Sequence, residues 1–181
     1  SEISGAVFIP EEPEDENYDH NKEMVFKFND LKSKGSFMAL RIEGDKISLD
    51  EKIKALTNEL KLDKLDSAIL DIYQSVPFWK KINNLELFKA TKNNLLRVVI
   101  PPSKGIKLMQ YLSNKYKYYV DWCGSLYWIE IQSKKNTKVK EIKKLIKELE
   151  GYLTIIKTSD AYDYEETIFT VDSTRLLISE K

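Results

Sequence analysis

Residues 117–131 read KYYVDWCGSLYWIEI, and this stretch decides the fold of the second half of the chain. Lys117 to Trp122 and Leu126 to Ile131 are two apolar, aromatic runs of strand length. Cys123-Gly124-Ser125 joins them, and Gly124 can take φ > 0 without a Cβ clash, so the link closes a hairpin. Side chains alternate between the two faces of a strand. On that alternation Trp122 and Tyr127 come near one another across the turn, and Trp128 points to the opposite face.

The flanks extend the pattern. Leu95 to Ile100 (LLRVVI) is a continuous apolar strand, stopped by Pro101-Pro102. Ser103 caps a helix running to about Tyr116 that carries Ile106, Met109 and Leu112. Lys138 to Glu150 is an amphipathic helix with Val139, Ile142, Leu145, Ile146 and Leu149 on one face. Gly151 stands where a left-handed C-terminal cap belongs, and Tyr152 to Lys157 is a closing strand. From Leu95 to Lys157 the order is therefore β-α-β-β-α-β, a ferredoxin-like split βαβ unit occupying residues 93–160. Right-handed crossovers put both of its helices on one face of a four-stranded antiparallel sheet. The fold class is α+β.

The first half, residues 1–92, is less regular. Ser4 to Pro10 (SGAVFIP) and Phe37 to Ile42 (FMALRI) read as strands, with a shorter one at Met24 to Phe28. Between them, residues 11–23 form an acidic loop. Ser48 and Glu51 make a capping box for a helix from Leu49 to about Lys61, with Leu49, Ile53, Leu56 and Leu60 as its buried stripe. Ala68 to Tyr73 reads as a strand. Ser75 then caps a helix with Pro77 in its first turn, presenting Phe78, Trp79, Ile82 and Leu85. These elements suggest a second, pseudo-duplicated unit of the same kind. Residues 161–181 begin a further helix at Ser173, truncated at Lys181.

Composition excludes several classes. The 181 residues carry 29 basic and 29 acidic side chains, so no net charge draws the chain toward nucleic acid or an anionic membrane. The interleaved Lys138, Lys140, Lys143, Lys144 and Lys147 with Glu141, Glu148 and Glu150 read as a solvated helix face. Tyr118, Tyr119, Tyr127 and Trp128 could imitate an RNA-stacking sheet, yet no matching RNA-binding motif accompanies them. No apolar run approaches a bilayer span of about 20 residues. Ser1 to Gly5 is no signal peptide. A start without Met reads as a piece of a longer protein. The single Cys123 precludes an internal disulfide and fits a reducing, cytoplasmic setting. One histidine, His20, in the acidic loop leaves no metal cluster and no ready catalytic triad. There is no Gly-rich phosphate loop, so the chain is not expected to hold a nucleotide cofactor by itself. The hairpin's tryptophans have two uses: packing in the core, or lining a planar apolar ligand such as a flavin ring.

LLRVVIPP (Leu95 to Pro102), DWCGSLYW (Asp121 to Trp128) and EGYLTII (Glu150 to Ile156) together resemble the C-terminal cap domain of the FAD-binding glycolate oxidase subunit, of the FAD-linked oxidase family. That family has R-x-x-x-P-P, then D/E-W-x-G-x-L-x-W, then G-G-H-A-T-L. Arg97, Pro101, Pro102, Trp122, Gly124, Leu126 and Trp128 match position by position. SGAVFIP, ALRIEGDKISLDEKI (Ala39 to Ile53) and FWKKINNLELF (Phe78 to Phe88) fit the upstream order, so the likeness spans most of residues 1–181. Tyr152 stands where the family has its histidine, and the family's closing F-D-P-x-x-x-x-N-P segment has no counterpart.

The resemblance implies the cap of a flavin-dependent glycolate (2-hydroxy acid) oxidase or dehydrogenase, closing over FAD held by an N-terminal FAD-binding domain and working with other glycolate oxidase subunits. Arg97, Trp122, Gly124 and Tyr152 are then the cofactor-binding candidates. No residue of this chain is assigned to catalysis, and the isolated chain is expected to be inactive. Arg97 would pair bidentately with a carboxylate or phosphate, or else serve as a satisfied structural arginine. The alternative from a different class is a stand-alone ferredoxin-like interaction or dimerisation module without catalysis.

Overall fold

Asp and Gln, three residues apart, start one helix of the chain, and Asp alone starts another. In the computed structural model, which describes residues 3–11, 35–65, 67–132 and 137–159, the chain divides into two units, Ser1–Ala90 and Thr91–Lys181. The bulk of the acidic loop 11–23 with His20, the strand expected at Met24 to Phe28, and the segment 161–181 with the helix at Ser173 lie outside the described residues.

In the first unit, β1 (Ile3–Ile9) and β2 (Phe37–Ile42) pair antiparallel, Val7 opposite Ala39 and Phe8 opposite Met38. Helix α1 (Lys46–Leu60) is capped by Asp45, whose Oδ1 accepts from the Ser48 backbone N–H at 3.0 Å. The cap is therefore three residues earlier than the Ser48–Glu51 box expected from sequence. Of the expected stripe only Leu56 is buried, and Leu60 is 45% exposed.

Helix α2 (Ile72–Asn83) starts with a capping box: Gln74 N–H donates to Asp71 Oδ1 at 2.9 Å, and Asp71 N–H donates to Gln74 Oε1 at 3.2 Å. This corrects two expectations. Residues 68–71 are not a strand, because the box draws Ile72 and Tyr73 into the helix. Pro77 lies in the second turn rather than the first. Its missing N–H leaves the Tyr73 carbonyl without its helical donor, on a residue 86% exposed to solvent. Phe78, Ile82 and Phe88 are the buried apolar side chains of this part, at 2–3% exposure. Among its described residues the first unit has two strands and two helices, so the expected second copy of the split unit is not completed there.

The second unit comprises β3 (Asn94–Val99), α3 (Gly105–Leu112), β4 (Lys117–Asp121), β5 (Leu126–Ile131), α4 (Thr137–Glu148) and β6 (Tyr152–Lys157). Antiparallel pairing of β4 with β5, β5 with β3 and β3 with β6 gives the order β4-β5-β3-β6. Each helix thus links two strands with a third lying between them, the ferredoxin-like α+β arrangement.

Cross-strand partners share a face. Val120, Tyr127, Val98 and Leu153 form one row and Tyr118, Ile129, Leu96 and Ile155 the next, all between 0 and 5% exposed. Both helices pack on this face. Gly105 opens α3 so close to Tyr127 that a Cβ would stand 2.8 Å from its hydroxyl, and Ile146 of α4 borders Ile100 at Gly151. Burial of Val139, Ile142, Ile146 and Leu149 follows the expected stripe of α4, while Leu145, also expected there, is only partly buried.

Helix α3 differs from expectation. A tight turn over Pro102–Lys104 precedes it, Ser103 caps nothing, and the helix ends at Leu112. Its buried positions are Gly105, Leu108 and Leu112, while Ile106 is 71% exposed. At the end of α4, Glu150 takes the left-handed position with φ 59, and Gly151 N–H closes back onto the Ile146 carbonyl at 2.9 Å. Gly151 is needed for space instead: a Cβ would stand 2.4 Å from Ile100 Cγ2 and 2.8 Å from the Val99 carbonyl.

Candidate functional site: the Arg97–Trp122 corner

The β4–β5 connection places the site. Strand β4 stops at Asp121, which pairs with Leu126, and Trp122 begins the turn instead of ending the strand. Asp121 Oδ1 accepts from the Trp122 backbone N–H at 2.8 Å. Trp122, Cys123 and Gly124 then take φ of 50, 52 and 92 in succession. Left-handed geometry costs about 1–2 kcal/mol at a non-glycine residue, so two such residues side by side store strain at the hairpin tip.

That turn throws the Trp122 ring away from Tyr127. Tyr127 is fully buried against the helices, whereas Trp122 is 58% exposed and lies over Arg97, whose Cζ is 5.4 Å from the ring centroid. Arg97 is the cross-strand partner of Trp128 and so belongs to the opposite face. Trp122 and Trp128 therefore share a side, and the expected Trp122–Tyr127 neighbourhood is corrected. The physical reason is that φ > 0 at Trp122 breaks strand alternation before the ring is placed.

Tyr152 sits opposite Val99 on β6, two pairs along from Arg97 and Thr154 and so on the same face. It is 50% exposed. Arg97 and Tyr152 are thus diagonal neighbours on one face, roughly 7–8 Å apart by sheet geometry. Three of the four candidates converge on one end of one face: Arg97, Trp122 and Tyr152. Gly124 stands apart from them in role, since a Cβ there would meet nothing within 4 Å; it serves the turn's φ and no close approach.

Electrostatics at this corner are mixed. Among the described residues no carboxylate forms an ion pair with Arg97; a guanidinium presents a planar fork of donors that suits an oxyanion. Burial raises the Asp121 carboxyl above the ordinary carboxylate range, partly offset by the Trp122 N–H bond. Burial, with the nearby Asp121 charge second, pushes the Tyr119 hydroxyl well above the usual phenol range. Tyr118, Tyr119 and Tyr127 are buried and do not form a stacking platform. A cation–π pair of an exposed indole with a guanidinium can receive a flat ring and an anionic group together.

A second polar cluster, which sequence reasoning missed, ties the far end of the same sheet. Glu130, 9% exposed, accepts from Thr91 Oγ1 at 2.5 Å and from Asn93 Nδ2 at 2.7 Å. Lys157 Nζ donates to the Thr91 carbonyl, and Ser159 N–H donates to Asn94 Oδ1 at 2.7 Å. Its signal was the acid in IEI (Ile129 to Ile131): a carboxylate inside an apolar strand must find donors when buried.

Cys123 is a free, exposed thiol. Among the described residues no group of acids, His and Cys is spaced to hold a metal ion, and no helix is long and apolar enough to cross a membrane. Compared with known proteins, the chain matches no family model, no curated protein and no solved structure.

Proposed function

We propose that the chain is a cap for a flavin held by a separate FAD-binding domain, in an enzyme of the FAD-linked glycolate (2-hydroxy acid) oxidase type. The observation that supports this reading is the exposed Trp122 indole with the Arg97 guanidinium against it, beside exposed Tyr152. Trp122 would supply an apolar wall for the flavin ring, and Arg97 would hold a substrate carboxylate or cofactor phosphate. The flavin, when bound, supplies the hydride chemistry. This chain's part is to orient the anionic group and exclude water from the closed site. Other subunits of such an enzyme, and a cytoplasmic setting consistent with the free Cys123, belong to the same proposal.

Co-expression with the neighbouring reading frames tests it. The expected result is a complex that retains yellow flavin and is bleached by glycolate or another 2-hydroxy acid. Trp122→Ala and Arg97→Gln should retain the complex but weaken bleaching. If no neighbouring frame encodes a flavin-binding domain and no complex carries flavin, the reading fails. FAD titrated into the chain alone should leave Trp fluorescence nearly unchanged.

A second reading, an interaction or dimerisation module without catalysis, is supported by Ile69, Ile72, Tyr73 and Val76, which stand 59–86% exposed around the start of α2. Apolar side chains exposed side by side mark contact surfaces. Light scattering across a range of concentrations separates the two: a concentration-independent dimer favours the module.

A further inference from the structure

In the first unit the C-terminal half of α2 runs beside β2, and a groove of about 300 Å³ opens there. Arg41 of β2 and Lys80 of α2 supply two cations, with the amides of Asn83 and Asn84 at the helix end. Trp79 and Val76 form its apolar side. The Trp79 ring is held from behind: it lies 3.5 Å from where a Cβ on Gly5 would stand, and Phe78 meets it edge-on with centroids 5.2 Å apart.

The lining has a sign. Among the described residues no carboxylate lines it. Glu43, outside the lining, accepts from Arg41 Nη2 at 2.5 Å. A guanidinium has five N–H donors in a planar fork, so an oxyanion can be received without breaking that contact. Lys80 also faces the carbonyl end of α2, whose partial negative charge it offsets. The volume lies at the lower end of the small-ligand range of roughly 300–1,000 Å³.

We propose that this groove binds a small ring-bearing organic anion. Its carboxylate or phosphate meets Arg41 and Lys80, its ring lies on Trp79 and Val76, and the Asn83 and Asn84 amides take the remaining acceptor oxygens. The site lies within the first unit and is independent of the flavin reading.

The test is an NMR titration of the ¹⁵N-labelled chain. It follows the Trp79 indole N–H, identified with Trp79→Phe, and the side-chain amides of Asn83 and Asn84. Phenyl phosphate and benzoate are the probes, with inorganic phosphate and sodium chloride at matched ionic strength as controls. Saturable shifts at these groups are expected with one of the two probes, and the tighter one tells whether phosphate or carboxylate is preferred. Lys80→Gln and Arg41→Ala should each weaken binding about tenfold, the effect of losing one charge-assisted hydrogen bond. Arg41→Lys keeps the charge but loses the fork and should weaken it several-fold. Shifts that never saturate, that sodium chloride reproduces, or that survive both Arg41→Ala and Lys80→Gln would overturn the proposal. Should Arg41→Ala fail to fold, Lys80→Gln decides alone, since Lys80 lies exposed on the helix surface.

Discussion

One residue of phase separates the two faces of the sheet in the second unit, and their chemistry divides along it. The row Val120, Tyr127, Val98 and Leu153 is buried against α3 and α4 at 0–5% exposure. The neighbouring row on the other face, Tyr119, Trp128, Arg97 and Thr154, mixes a cation, a hydroxyl and rings, with exposed Trp122 and Tyr152 at its end. The helix-packed face is governed by volume, so changes there should be felt as stability. Changes at the exposed corner of the Arg97 face should cost little stability, and under the proposed cap function they would be felt as binding.

The strongest way to break this contrast is Ile129→Ala. Ile129 is fully buried on the helix side, and the change should cost about 3–4 kcal/mol of unfolding free energy, read from the denaturant midpoint. A loss below about 1 kcal/mol would mean that this face is not the core.

Next comes the turn after α4. Gly151→Ala should cost about 2 kcal/mol by overpacking against Ile100 and the Val99 carbonyl. Glu150→Gly should stabilise by roughly 1 kcal/mol, since the left-handed φ belongs to Glu150. Equal effects at both positions would show that space and backbone angle are not separated there.

High pH sharpens the comparison further. Burial pushes the Tyr127 hydroxyl up to about 12, so the folded state holds this proton more tightly than the unfolded chain does. The corresponding stability is whole below the ordinary tyrosine value near ~10 and is lost as pH climbs from there through about 12. The Tyr127 hydroxyl meets no protein hydrogen-bond partner among the described residues. Tyr127→Phe should therefore be nearly neutral at pH 7 and should move alkaline unfolding, followed by circular dichroism, to higher pH.

A smaller effect is expected at Asp121, whose carboxyl burial raises. Its folded state favours the protonated form, so this contribution is full below the ordinary carboxylate range and falls as pH rises through the raised value. Asp121→Asn keeps an acceptor for the Trp122 N–H and should flatten the stability profile across that window. The smallest stability change should come from Trp122→Ala. An exposed cation–π contact is worth about 0.5–1 kcal/mol, so thermal unfolding should scarcely move, while under the proposed function flavin bleaching by the complex weakens.

Much of the second unit was legible in the sequence. LLRVVI, the hairpin, the stripe Val139, Ile142, Leu145, Ile146 and Leu149, and the closing strand each carry their own period, and burial of alternate or every third to fourth residue enforces it. Helix starts were less legible. Asp45 and Asp71 did the capping in place of Ser48 and Ser75, because any short side chain with an acceptor can fill that role and only the backbone angle selects which one does. The apolar run Ala68 to Tyr73 fits strand or helix on periodicity alone, and the Asp71–Gln74 box settled it. Of the candidate site, Arg97, Trp122 and Tyr152 did converge, but the side on which Trp122 lies depended on positive φ values at Trp122 and Cys123, which neither residue type announces. The Arg41–Trp79 groove joins a strand to a helix far along the chain, so no local spacing could reveal it.

By itself, then, the sequence determined the alternation and period of the second unit's strands and of α4, and hence its α+β class, because hydrophobic burial acts on patterns a few residues long. Tertiary structure alone decided that Gly151 answers to crowding and not to φ, which acid was buried with donors, and which ring stood beside Arg97. Those outcomes depend on atoms brought together across strands, where a single left-handed residue is enough to move a side chain from one face of the sheet to the other.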